Sequence, residues 1–408
     1  MNNKLIEEYA KLIVEVGINL QKDQYVFIQL LPELEDFATI VAKHCYLKGA
    51  KRVIFSYYSQ KQMVVEQKYS TLENLSIVTP IEESIQQFKA DNNPCFIWLD
   101  GDDPDGLNDI DPNKYAKVRQ NKMKILKKYI DQCNNKYQWT IVGVPTKKWA
   151  KKVFPTLNEN EAVEKLFEKI LFASRVSEND SVENWKKHQT DLQKRYEYLN
   201  SLNLVKLHYT SKKGTDLTIG LIEGVKFLAG SEKDLFGHEF QPNIPTEECF
   251  TSPKKGEAEG IVYASKPLVY NGQMIEDFSI KFEKGKAVEV KAKKGKEVLE
   301  SILSLDEGSS YLGECAFVPY NSPINQTGIL FYNTLFDENA ACHLALGKGF
   351  TNLYPDYEKY SDEEIHKFGI NESFSHVDFM IGDETLSVVG TTKDNKEVVI
   401  FKDGNWAF

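Results

Sequence analysis

The chain has 408 residues, 41% of them hydrophobic and 27% charged, with a formal net charge of -10. That length exceeds what one ordinary core holds and predicts two domains, residues 1–180 and 181–408. The acidic balance excludes general affinity for nucleic acid or for an anionic membrane surface, since both need a basic face.

The first residues open straight into an amphipathic helix, with Leu5, Ile6, Tyr9, Ala10, Ile13 and Val14 at helical spacing. They show no long apolar run and no cleavage-site pattern, so neither a signal peptide nor a membrane span is expected. Tyr25 to Leu30 reads as a short strand, followed by a helix through Phe37, Ile40, Val41 and Leu47 that stops near Gly49. Arg52 to Tyr57, Cys95 to Leu99 and Trp139 to Val144 are further strands, the last two almost continuously apolar. Apolar runs separated by helical patterns predict an α/β domain whose mostly parallel sheet is covered on both faces. The acidic run Asp100, Asp102, Asp103 and Asp105 lacks both the glycine spacing of a nucleotide loop and the closing Glu of a calcium loop, so a solvated turn is expected.

Residues 161–202 carry a long helical stripe through Trp185, Leu192, Tyr196 and Leu199, after which the period changes to two. Val205–Tyr209 and Leu217–Gly220 flank Lys212-Lys213-Gly214, a hairpin signature. Strands follow at Gly260–Ser265, Asp277–Phe282 and Ala287–Val290, then a helix at Gly295–Leu303 and a last hairpin at Thr385–Val389 and Glu397–Phe401. The C-terminal domain is therefore β-rich, a strongly curved sheet or partial barrel, and the fold class is α/β followed by α+β. The six cysteines are scattered without a C-x-x-C pair, as expected of reduced thiols in a cytoplasmic protein.

Groups able to do chemistry concentrate in the last third. Phe336 to Gly347 sets Glu338 and His343 five residues apart among small residues. On one continuous helix they would lie about 140° out of alignment, so a turn ending near Cys342 is needed for both to point one way. His376 and Asp378 share a face of an extended segment whose Val377, Phe379 and Ile381 face the core. Two such ligands, about 7 Å apart, can reach one metal or two metals about 3.5–4 Å apart. Glu314 begins an apolar strand, and of the adjacent Glu247 and Glu248 one is expected to face the same site.

Glu248, Glu314, Glu338 and Asp378 together would repel strongly in one cavity, and two divalent cations would cancel their charge. Mixed carboxylate and imidazole donors suit zinc, manganese or cobalt. The bland alternative keeps these groups as buried ion pairs, Glu338 with His343 and His376 with Asp378.

Four stretches, Asn243 to Pro253, Leu312 to Ala316, Phe336 to Gly347 and Asn371 to Met380, occur in order. Together they closely resemble the aminopeptidase T / aminopeptidase S family of dimetal exopeptidases, along essentially the whole chain. The resemblance implies that Glu248, Glu314, His343, His376 and Asp378 bind two divalent ions (zinc, cobalt or manganese), with Glu314 bridging. It implies that Glu338 is the general base, and itself a further ligand, for a water activated between the ions. Small peptides are the implied substrates and a homodimer the implied assembly. One position departs from the family's pattern: Phe350 stands where a tyrosine is usual, with Tyr354 or Tyr357 as substitutes for its hydroxyl. Two other readings stay open, a dimetal amidohydrolase or phosphodiesterase on other small molecules, and a metal-binding homologue with weakened catalysis.

Overall fold

The computed structural model describes residues 3–133, 135–270 and 273–408. The chain folds as two compact units, Met1–Lys187 with Ser231–Pro245, and His188–Gly230 with Thr246–Phe408.

In the first unit five parallel strands run in the order Asn243–Ile244, Trp139–Gly143, Cys95–Asp100, Tyr25–Leu30 and Arg52–Tyr57. Val26, Phe27 and Ile28 are consecutive and all buried. Neighbours on a strand face opposite sides, so both faces of the sheet are covered, as the continuous apolar runs require. Tyr9, Phe37 and Phe167 pack ring against ring where three helices meet. The helix starts are written locally: capping boxes pair Thr79 with Glu82, ahead of Pro80 in the first turn, and Asn158 with Glu161.

Two details differ from the sequence pattern. The fifth strand is only two residues long, too short to show a period, and is defined by its pairing with Ile141 and Val142. The long helical stripe is two helices, Glu159–Ala173 and Ser181–Ser201. Between them Arg175 and Asp180 take left-handed backbone conformations that break the ladder.

The second unit holds two large antiparallel sheets, and a small pair formed by Leu268–Tyr270 and Gln273–Ile275, rather than one partial barrel. An eight-stranded sheet runs Lys286–Lys291, Ser279–Glu283, Pro253–Tyr263, Asp216–Leu221, Leu204–Thr210, Ser387–Thr392, Glu397–Lys402 and Asn405–Trp406. A five-stranded sheet runs His376–Met380, His343–Gly347, Leu312–Phe317, Cys249–Thr251 and Leu228–Ala229. Both sheets contribute to one core that includes Leu207, Ile219, Phe282, Leu344, Phe379 and Phe401. Phe317 sits at its centre, stacked on Tyr209, Phe227 and Phe401 with ring centroids 6.3, 6.0 and 5.4 Å away. Both hairpins expected from the two-residue period are present. Among the described residues no helix is long and apolar enough to cross a membrane.

Candidate metal centre

Strand register builds the site. Glu314 pairs with Ala345, which pairs with Asp378; Ala316 pairs with His343, and Gly347 with His376. Paired residues share a face and alternate residues return to it, so Glu314, His343, His376 and Asp378 project from one side of the smaller sheet. Cys315, Phe317, Leu344, Val377 and Phe379 fill the core on the other. The positions between the polar groups are small (Ala316, Ala345, Gly347), which leaves room over the sheet. A bulge falls between Leu312 and Glu314, the kind of irregularity that re-aims a side chain. Gly313 lies within it, and a Cβ there would come within 2.3 Å of the Lys348 carbonyl oxygen.

Register also separates Glu247 from Glu248. Phe250 pairs with Ala316, so Glu248, two residues earlier, reaches the same face. Glu247 turns the other way, is 2% exposed and lies 3.9 Å from His188 Nε2.

The side chains converge into two triads, Glu248–Glu314–His343 and Glu314–His376–Asp378, with one donor atom from each member lying within 4.8 Å of the others. His343 Nε2 is 3.2 Å from Glu248 Oε2. His376 Nε2 is 3.0 Å from Glu314 Oε2 and 3.2 Å from Asp378 Oδ1. Both imidazoles are oriented from behind: His376 Nδ1 donates to the Lys348 carbonyl at 2.7 Å and His343 Nδ1 to that of Ala341 at 3.3 Å. A ring nitrogen held by a backbone carbonyl fixes the proton there and leaves Nε2 to act as a ligand.

Glu338 stands beside the triads and belongs to neither. It opens the 3-10 turn Glu338–Ala340, and His343 begins the strand after it. That turn and strand form the break in helix that the spacing of the two residues requires.

Burial is the largest influence on these acids. It lifts Glu314 to about 6, against the pull of His376. Burial, then the charges of Asp378 and Glu248, hold Glu338 well above the usual carboxylate range. Burial also works to strip His343 of its proton, but the Glu248 hydrogen bond and the surrounding carboxylates outweigh it and leave that imidazole at about 10. His376 is raised by Asp378 and Glu314 against the same burial. Asp378 is lowered, because the His376 charge more than offsets burial. Burial and mutual repulsion thus oppose the charged carboxylates, and the two imidazoles offset part of their charge.

The donor set fits a divalent cation. Asp378 Oδ1 is buried, with the His376 imidazole 3.2 Å away as its counter-charge, and the carboxylate–imidazole mixture is the one zinc, cobalt and manganese favour. Cation binding would replace the imidazole protons as the balancing charge.

Phe350 packs its ring 5.3 Å from Phe250 and 5.1 Å from His376, forming an aromatic wall at the exposed end of the second triad. Tyr354 stacks on Phe368 and meets Tyr360 edge-on, and Tyr357 packs with Tyr354 against the Ile222, Ile365 and Ile370 cluster. The sequence reading overlooked the carbonyls of Lys348 and Ala341 and the spacer Ala345. Alternation of small and large residues in His343-Leu-Ala-Leu-Gly347 was the available signal for Ala345; nothing in a sequence marks a carbonyl.

Convergent, buried carboxylate and imidazole donors of this kind suit a divalent cation. The family of thermophilic metalloproteases (M29) matches residues 2–406. The chain belongs to that family. It is 41% identical to aminopeptidase AmpS of Bacillus subtilis over 99% of this chain and 98% of that one. It is 36% identical to aminopeptidase T of Thermus thermophilus over 98% of each chain. The solved structure of wild-type AmpT from Thermus thermophilus superposes with a TM-score of 0.90 at 34% identity, covering 100% of both chains.

Proposed function

We propose that this metalloaminopeptidase removes N-terminal residues from small peptides by hydrolysis, with Glu338 as the general base. Glu248, Glu314, His343, His376 and Asp378 would hold two divalent cations, Glu314 serving both, with Glu338 a further donor. The second compact unit would then be the catalytic domain, within residues 181–408. The observation that carries this reading is the shared sheet face of Glu314, His343, His376 and Asp378, with Glu248 beside them, in a chain of a metalloprotease family.

When bound, divalent cations supply polarisation of the scissile carbonyl and a lowered pKa for the attacking water. The chain's own residues do the rest. Glu338 accepts the proton of the attacking water on its carboxylate and returns it to the leaving amine, a task suited to a carboxylate whose proton affinity is raised. His376, with Nδ1 tied to Lys348, and His343, with Nδ1 tied to Ala341, keep Nε2 aimed into the site. Phe350 and Phe250 present an apolar wall to a substrate side chain. Zinc, cobalt or manganese as the ion and a homodimer rest on likeness to the family, and a cytoplasmic location on the scattered free cysteines.

The test is elemental analysis of the purified protein, then hydrolysis of a dipeptide and its N-acetylated form with and without chelator. Turnover of the free-amine peptide only, lost with the metal and restored by it, is expected. Equal cleavage of both peptides, or chelator-resistant cleavage, would overturn the reading.

A further inference from the structure

We propose that Asn339 is a positioning residue that fixes Glu338 relative to the segment bearing Glu248; this rests on the reading of Glu338 as general base. Asn339 is fully buried in the same 3-10 turn as Glu338. Its carboxamide reaches in three directions. Nδ2 donates to the Leu335 carbonyl at 3.0 Å, Oδ1 accepts the Glu247 backbone N–H at 2.8 Å, and Nδ2 lies 3.5 Å from Glu338 Oε1.

The middle contact spans 92 residues of sequence. The residue it holds is the one directly before Glu248, so a single side chain ties the turn carrying the base to the segment carrying a candidate ligand. Among the described residues Asn339 is also the one hydrogen-bond partner of the Glu338 carboxylate. A Glu side chain has substantial rotamer freedom to lose, and a misplacement of about 1 Å at a reacting group costs about 100-fold in rate. Asparagine suits the position because its two ends can donate and accept at once.

The test is a double-mutant cycle between Asn339→Ala and Glu338→Gln, read by steady-state hydrolysis of a dipeptide and by calorimetric titration of zinc into the stripped proteins. Asn339→Ala should lower kcat about 10- to 100-fold, the range for groups that support a catalytic centre. KM should stay within about twofold and the zinc stoichiometry unchanged. In the Glu338→Gln background the same change should slow the enzyme no further, because its effect passes through Glu338. Wild-type kcat in Asn339→Ala, or equal slowing in both backgrounds with reduced zinc binding, would overturn the proposal and leave Asn339 a purely structural clamp. If Asn339→Ala does not fold, Asn339→Asp keeps the acceptor for Glu247 and removes the N–H turned to Glu338. It should show the same non-additive loss, and wild-type kcat in it would be equally fatal. Full turnover by Glu338→Gln alone would remove the general-base reading and this one with it; a slowed Glu338→Gln with additive losses at Asn339 would remove only this one.

Discussion

Two groups of acids in this molecule, one local in sequence and one gathered from distant segments, differ in what surrounds them. After the Cys95–Asp100 strand of the first unit, Asp102 accepts the Tyr58 hydroxyl at 2.6 Å, Asp103 lies 4.0 Å from Lys148, and Asp105 pairs with Lys152 at 2.8 Å. Gln60 accepts the Asp103 backbone N–H at 2.9 Å. Those acids are served by hydroxyl and ammonium partners within the fold. In the second unit Glu248, Glu314 and Asp378 are buried or nearly so, Glu314 and Asp378 flank Ala345, and imidazoles are the counter-charges. A run of acids is therefore no indication of a metal centre. Burial and convergence across strands are what set the second group apart as a candidate.

The largest expected effect breaks the second cluster at its shared member. Glu314→Gln should cut bound divalent metal below that of the parent and lower peptide hydrolysis by more than about 100-fold, beyond what loss of a supporting group costs. Metal content and turnover equal to the parent's would show that the two triads do not act together. Next, Ala345→Leu inserts a branched side chain between Glu314 and Asp378 on their own face. Zinc affinity, measured by competition with a chromophoric chelator, should fall at least about tenfold while circular dichroism stays native. Undiminished affinity would mean that the room above Ala345 is irrelevant.

The first cluster should respond in stability and not in metal binding. Burial holds Asp102 at about 6 in the folded chain against its ordinary 3.8, despite the Tyr58 hydrogen bond. Its protonated form is thus favoured by folding. The resulting stability is complete below about pH 4 and is lost as pH rises through about 6. Asp102→Asn cannot titrate and should flatten the dependence of stability on pH between those limits by at most about 3 kcal/mol, with bound metal unchanged. A curve of unaltered slope in urea titrations, or lost metal, would erase the distinction between the two regions. The smallest effect belongs to the exposed Asp105–Lys152 pair: Asp105→Ala should change unfolding free energy by less than about 1 kcal/mol, and a larger change by calorimetry would give that turn a structural weight it lacks here.

Much of this was legible along the chain. The strands of the first unit announce themselves as apolar runs, because covered parallel strands are apolar on both faces. His376 and Asp378 show their common face through Val377 and Phe379 between and after them, a purely local alternation. Glu338 and His343 declare the need for a break in helix by their spacing alone. The Asn243–Ile244 strand and the division of the β-rich unit into two sheets left no such mark, since pairing partners are chosen by segments far away. The acidic run after Cys95 was equally opaque: its composition suits a solvated turn, and only the approach of Tyr58 shows that Asp102 is half-buried.

The sequence by itself determined which residue types could meet a cation, their period within each strand, and the family to which the chain belongs, because local alternation and motif order are properties of neighbours in the chain. Tertiary structure alone decided that Glu248 and not Glu247 faces the triads, that Ala345 lies between Glu314 and Asp378, and that backbone carbonyls aim both imidazoles. Those outcomes depend on register between strands, and a shift of one residue would turn each side chain to the opposite face.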